Sequence, residues 1–364
     1  MILHSKPWVT ESDLSYLKRV LDSRILAQGE ETDAFEKALS RWYGIDDGGV
    51  AVASGAAAIL LALVALKIQP GDEVVLPTYV CHTVLEAVLT SGATPVCCDV
   101  GPHWVVKPDN MAPRITNRTK ALIVPHMYGI FAPVASFRAF GIPVIEDCAQ
   151  AVAGCGQQRL EGDIAIFSFN PTKCLATGEG GMAISADPSL VAIMRAHRDG
   201  KVEAPAPRLF SPLSNLAAGL GLSQLARYEE ALARRALLAQ IYRQRLAPLI
   251  PDCLPDLSAD RTMWFRFPLW IAGGLDACQE LFARRGVHVR KGVDNLLHRL
   301  MKLSDREYPV AVRHFQETVS LPLYPALTEA EHTHCADAAE EIFSRLHHTD
   351  QTEPRGVPPF KSRS

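Results

Sequence analysis

The chain has 364 residues, 48% of them hydrophobic, and a formal net charge of -3. That is length enough for two domains and a large core, and the charge balance excludes nucleic acid as the expected partner while leaving small acidic or phosphorylated ligands open. The apolar stretches are too short or too interrupted to span a bilayer, and MILHSKPWVTESD lacks the layout of a signal peptide. The nine cysteines are scattered without a CxxC pair, so a soluble cytoplasmic protein without a structural metal site is expected.

Thr10 and Asp13 have the spacing of a capping box, and Leu14, Leu17 and Leu21 follow at helical intervals. A second helix is expected from Asp33 to Tyr43, with Phe35, Leu39 and Trp42 on one face and Gly44 as its stop. Val50 to Ala53 reads as a short strand. SGAAAILLALVALKI then reads as a helix buried on most of its circumference, capped by Ser54. Gly55 leaves the first amides uncovered, a ready site for an anion, although an alanine-rich core helix with an ordinary cap accounts for the same residues.

GDEVVLP, TPVCCDV, ALIVPHMYG and PVIED are successive strand candidates, separated by the helix TYVCHTVLEAVLTSG and the connection SFRAFG. Strands alternating with helices over this span predict a mainly parallel sheet covered on both faces, with ligands at the carboxyl ends of the strands. IAIFSF is a further strand and GMAIS is expected at the sheet edge. A helix follows near Pro188 to Arg198, and one long helix from about Ala217 to Leu246, with Glu230 paired to Arg234. From Trp264 the texture changes: the strand WFRFPLWI, the helix LDACQELFARRG, the extended pieces VHVRK and TVSLPLYP, and a last helix opened by Thr328 and Glu331. The expected organisation is a large α/β domain over residues 1–235, a smaller α+β C-terminal domain over 236–348, and a disordered tail over 349–364.

The chemistry concentrates between Ile142 and Met182. One strand candidate stops on Glu146 and Asp147; the next ends at Ser168 and delivers Lys173 into a turn rich in glycine at Gly178, Gly180 and Gly181. No GxxxxGK[ST] and no GxGxxG after a strand occurs, so neither a P-loop nor a dinucleotide fingerprint is present. The anion site at Ser54 to Ala57, the strand-end Asp147, the Ser168 hydroxyl and the Lys173 amine are together what pyridoxal phosphate needs: a phosphate cradle, an acid for the pyridine nitrogen and an amine for the aldehyde. Each residue also has an ordinary structural explanation: a helix cap for Asp147, a satisfied hydroxyl for Ser168 and a solvated turn for Lys173.

SGAAA, PGDEVVLPTYV, GATPVCCDV, VPHMYG, IPVIEDCAQA, FSFNPTKCLATGEGGM, GLSQLARYEEALARR and SLPLYPALT closely resemble the DegT/DnrJ/EryC1/StrS family of pyridoxal-phosphate-dependent sugar aminotransferases, from about Ile25 to Leu346. The resemblance implies a fold-type-I transferase, aspartate-aminotransferase-like, forming a homodimer with shared active sites. It implies that Lys173 is the Schiff-base lysine, Asp147 the pyridinium partner and Gln150 a neighbour of the ring oxygen. Ser168 with the backbone of Gly55, Ala56 and Ala57 matches the phosphate cradle. The implied reaction moves an amino group, from glutamate, to a keto sugar, often nucleotide-linked, or to a related cyclitol in polysaccharide or secondary-metabolite synthesis. Lysine at 173 separates the chain from the family's dehydrases, which carry histidine there. The competing expectation is a cofactor-binding sensor without turnover.

Three departures mark this chain. Ala56 stands where the family has threonine. Cys81 stands where an aromatic residue often stacks on the pyridine ring, with His82 as the alternative. Phe210 and Pro212 stand at the asparagine and arginine of the family's NYRMS segment, whose asparagine reaches the partner's phosphate.

Overall fold

A computed structural model describes residues 1–202, 210–255, 257 and 262–350; the expected tail lies almost wholly outside these residues. The two N-terminal helices are α1 (Glu11–Ser23) and α2 (Glu30–Trp42). The capping box of α1 forms, with the Thr10 amide donating to Asp13 at 2.8 Å. The stripe behind it is only partly covered: Leu14 is 59% and Leu21 55% exposed, whereas Val20 is fully buried.

Seven strands then build one sheet: β1 (Gly49–Val52), β2 (Glu73–Pro77), β3 (Thr94–Cys98), β4 (Thr119–Pro125), β5 (Val144–Asp147), β6 (Ile164–Ser168) and β7 (Gly181–Ile184). Their spatial order is β1-β7-β6-β5-β4-β2-β3. All neighbours from β6 through β3 run parallel, and β7 lies antiparallel between β1 and β6. GMAIS is therefore an interior strand, and β1 and β3 are the edges. The residues Val74, Val75, Leu76, Leu122, Ile123 and Val124 are all fully buried, as strands covered on both faces must be.

Helices α3 (Gly55–Ala65), α4 (His82–Thr90), the single turn α5 (Pro108–Met111) and α6 (Pro188–Asp199) come from the crossover segments. The connection through Ser136 to Phe140 is a 3₁₀ helix. The expected long helix is two, α7 (Asn215–Ala226) and α8 (Tyr228–Leu246), broken at Arg227, whose φ of -116° and ψ of 15° leave the α region. Arg227 stays because its guanidinium holds Asp13 at 2.8 Å and the Trp8 carbonyl at 2.8 Å. Arg234 does not pair with Glu230; it donates to the Leu327 carbonyl at 3.0 Å. Along α8, Tyr228 and Ala231 pack under the large sheet, while Leu238, Tyr242 and Leu246 pack in a second core.

That second core is built on a two-stranded antiparallel sheet, β8 (Phe267–Trp270) with β9 (Thr318–Leu321), covered by α9 (Gly274–Arg284) and α12 (Glu329–Asp350). Between them lie α10 (Leu297–Leu300) and α11 (Pro309–Glu317), which the sequence pattern did not reveal. VHVRK contributes single bridges, Val287 to Ile2 and Arg290 to Ser320, not a strand. Gly292 is seated against the first core so closely that a Cβ there would lie 2.2 Å from Tyr79 Oη and still closer to Tyr128 Oη.

Candidate active site

β5 and β6 are paired neighbours, so their carboxyl ends bring Asp147 and Ser168 to the same rim of the sheet. The Ser54 hydroxyl caps α3 by accepting from the Ala57 amide at 3.1 Å. The Ala57 amide is thereby engaged within its own helix, and the amides of Gly55 and Ala56 are left without a partner among the described residues. Gly55 faces Ser168: a Cβ added at 55 would meet Ser168 Cβ at 2.8 Å and its Oγ at 3.1 Å. The Ser168 hydroxyl itself has no hydrogen bond among the described residues. Two bare amides, a helix N-terminus and a hydroxyl thus converge on one spot, the arrangement that binds a phosphate.

After Ser168 the chain turns sharply. Asn170 accepts from the Lys173 amide at 2.8 Å through its carbonyl, and its side chain accepts from Thr172. Gly178 at φ 90° and Gly180 at φ 155° then return the chain into β7. This turn presents Lys173 half-buried, with Nζ 5.7 Å from the centroid of the Phe265 ring and no carboxylate within ion-pair distance among the described residues. Burial pushes its amine below the ordinary lysine range, and the Asp147 carboxylate opposes that shift. The neutral amine, the form able to act as nucleophile and base, is correspondingly easier to reach.

Asp147 is 6% exposed, and its one hydrogen bond comes from the Ala149 amide at 2.9 Å. No helix starts there, so the capping explanation does not hold beyond that turn. Burial pushes its carboxyl up, opposed by the Ala149 amide and by the electrostatic influence of Lys173 and His126. A buried carboxylate with open acceptor positions suits a protonated ring nitrogen.

Gln150 is held by its side-chain oxygen, which accepts from the Tyr128 amide at 2.9 Å. Cys81, the N-cap of α4, is close enough to raise Lys173 electrostatically and accepts from Thr83 at 3.3 Å. His82 is turned along α4, with Nε2 3.9 Å from Glu86. Cys81 is exposed at the start of α4, within electrostatic reach of Lys173, and His82 lies along the helix surface. Phe210 is buried in the core of this chain, and the Ser211 carbonyl accepts from the Ala53 amide at 3.0 Å. Hydrophobic burial thus fixes Phe210 inward.

Three features escaped the sequence pattern. The Tyr79 and Tyr128 hydroxyls bond each other at 2.8 Å behind the site. His126 donates through Nε2 to Glu146 at 2.9 Å, because its Nδ1 accepts from the Ala132 amide. With Cys148 these two groups form a compact buried cluster of metal-ligand type, yet the ligating atoms of His126 and Glu146 are already engaged. The third feature is Arg266, a lone cation in the apolar run WFRFPLWI.

The profile of the DegT/DnrJ/EryC1/StrS aminotransferase family matches residues 7–340. The chain is 31% identical to dTDP-4-dehydro-2,3,6-trideoxy-D-glucose 4-aminotransferase of Saccharopolyspora spinosa, covering 97% of this chain and 99% of that one. Among solved structures it resembles the aminotransferase TlmJ from Streptoalloteichus hindustanus, with a TM-score of 0.88 and 29% identity over 95% of this chain and 100% of that one. It also resembles NtdA from Bacillus subtilis with bound cofactor PMP, with a TM-score of 0.81 and 26% identity over 92% and 81% of the two chains. The fold is that of the fold-type-I transferases, and the chain belongs to the DegT/DnrJ/EryC1/StrS aminotransferase family.

Proposed function

We propose that this protein is a pyridoxal-phosphate-dependent aminotransferase that transfers an amino group from an amino acid, glutamate in the first instance, to a keto sugar. The observation that carries this reading is the coexistence, on one rim of one sheet, of a buried acid, an ion-pair-free lysine and a bare helix N-terminus with a free hydroxyl. The residues fit the cofactor at each end: Gly55 leaves space that a Cβ would fill, and Ser168 and Asp147 keep unused hydrogen-bonding positions.

In this reading Ser168 and the amides of Gly55 and Ala56 hold the phosphate, with Ala57 contributing through the helix end. Asp147 would hold a positive charge on the ring nitrogen, Gln150 would serve the ring oxygen, and Cys81 would be the residue for the ring face. When bound, the cofactor supplies an electron-withdrawing ring that stabilises the charge left on a substrate carbon as its proton departs. Lys173 would hold the cofactor, and its Nζ, with a pKa lowered by burial, would accept and return a proton at the reacting carbon. The aromatic wall of Phe265 keeps water from one side of Nζ.

The acceptor is proposed from the relative in Saccharopolyspora spinosa, whose substrate is a nucleotide-linked keto sugar. We also propose a homodimer: Leu14, Leu21, Ile25 and Leu26 are each 46% exposed or more in the single chain, an apolar patch suited to a second copy. The switch of packing along α8 supports a division into two domains near Arg235. No helix of the described residues is long and apolar enough to cross a membrane. We place the protein in the cytoplasm, in keeping with the scattered spacing of its nine cysteines.

The test is to mix the cofactor-loaded protein with glutamate. Conversion of the cofactor to its amine form, followed by return to the aldehyde form on addition of a keto sugar, is the expected result. A yellow protein that never converts would favour the sensor reading.

A further inference from the structure

Three arginines set into the fold are occupied by hydrogen bonds or ion pairs among the described residues. Arg198 bonds Glu36 and Asp199, Arg227 holds Asp13, and Arg235 donates to the carbonyls of Phe265 and Leu323 at 2.9 and 3.0 Å. Arg266 is half-buried and has no hydrogen bond or ion pair among the described residues; its Nε is covered and unpartnered, as are those of Arg227 and Arg235, but their remaining guanidinium nitrogens are engaged. Its guanidinium carbon lies 5.0 Å from the centroid of the Phe265 ring, the same ring that Lys173 Nζ approaches to 5.7 Å. The two cations are therefore no farther apart than those two distances combined. The ring is a fixed spacer, since the Phe265 amide donates to the Tyr128 carbonyl at 3.0 Å and its own carbonyl accepts from Arg235.

The surroundings act in both directions: Arg290 opposes the charge on Arg266, while Asp294 and the Tyr128 and Tyr79 hydroxyls favour it without bonding it. Arg290 lies within electrostatic reach of Arg266, and both act on His4. The acid nearest this group, Asp294, is 3.5 Å from Arg290. A half-buried guanidinium with no direct partner, on the same ring as a reactive lysine, keeps hydrogen bonds that a ligand can complete.

We propose that Arg266 is the carboxylate-binding residue for the amino donor. This rests on the aminotransferase reading and names the group that would select its donor. An amino acid brings its amine to the place of Lys173 Nζ and carries a carboxylate a few bonds away, a span that a cation on the far reach of the same Phe265 ring can meet. The planar guanidinium matches a carboxylate in two parallel bonds. A phosphate is the less suitable occupant, because the phosphate cradle at Gly55, Ala56 and Ser168 is a separate part of the site.

The test uses the full-length protein loaded with pyridoxal phosphate. Glutarate, a dicarboxylate without an amine, is titrated by calorimetry, and glutamate is titrated through the change in the cofactor's visible absorbance. Arg266→Gln is expected to weaken both by about tenfold to a hundredfold, leaving the absorbance of the lysine-bound cofactor unchanged. Arg266→Lys should recover part of the loss. Because a functional cation without a counterion burdens the fold, Arg266→Gln should melt no lower than the wild type, which a merely structural arginine would not do.

Wild-type response of Arg266→Gln to both ligands overturns the proposal. So does displacement by pyrophosphate under conditions where glutarate does not compete. A protein that refuses pyridoxal phosphate would sink the function proposed above. In that case glutarate calorimetry on the wild type, Arg266→Gln and Arg266→Lys still decides whether Arg266 binds a carboxylate.

Discussion

Glu146 and Asp147 are neighbours on β5, so the pleat sends them to opposite faces of one sheet, and they meet opposite environments. Glu146 accepts from His126 at 2.9 Å and from the amides of Glu161 and Gly162, each at 2.8 Å. Burial works to raise its carboxyl, but these donors win and hold it below the ordinary glutamate range. Asp147, with one donor, is held above the ordinary aspartate range by burial. Two adjacent acids of the same type thus separate into one that fastens the scaffold and one left incompletely bonded for a ligand. Counting donors, not counting acids, tells which is which.

The comparison can be broken from several sides. Lys173→Ala should abolish the visible absorbance of the lysine-bound cofactor and cut turnover on the order of 10⁶-fold, measured with glutamate as donor. Asp147→Asn should lower turnover by about a hundredfold or more, with little loss of melting temperature, because it removes a buried charge that the fold supports poorly.

Glu146→Ala should do the reverse: a loss of about 3 to 5 kcal/mol in denaturant unfolding, since it strands His126 in the core. The acid limb sharpens this contrast. The lowered Glu146 stabilises the fold above its unfolded pKa, and that contribution disappears as the pH falls through the folded value. Glu146→Gln should therefore flatten acid unfolding. Asp147 has the opposite sign: its raised pKa burdens the fold at neutral pH and the burden lifts on protonation, so Asp147→Asn should leave the acid limb intact or steeper.

Smaller effects are expected at the ends of the site. Ser168→Ala should weaken cofactor binding by about 1 kcal/mol in equilibrium dialysis, the worth of one hydrogen bond. Cys81→Ala should change it by about 1 kcal/mol or less, a sulfur-to-ring contact being weak.

Most of the rim was legible because it is local in sequence: a strand ending at Asp147, a strand ending at Ser168 and a turn carrying Lys173 lie within one short stretch. The burial of the sheet strands followed from their unbroken apolar runs. What stayed hidden depends on packing over distance. That GMAIS lies inside the sheet is a matter of strand order, which periodicity does not encode. Leu14 and Leu21 had the spacing of a core face, yet spacing says that a stripe exists and not what covers it. The break at Arg227 answers to Asp13 and Trp8, more than two hundred residues earlier. Arg266 did leave a trace, a cation in a strand otherwise fit for a core, but only the missing partner made it informative.

Gly292 sits where any larger residue would collide with the Tyr79 and Tyr128 hydroxyls. At this point the C-terminal half is therefore latched to the sheet half by the absence of a side chain. Enlarging position 292 is a direct way to prop the two halves apart.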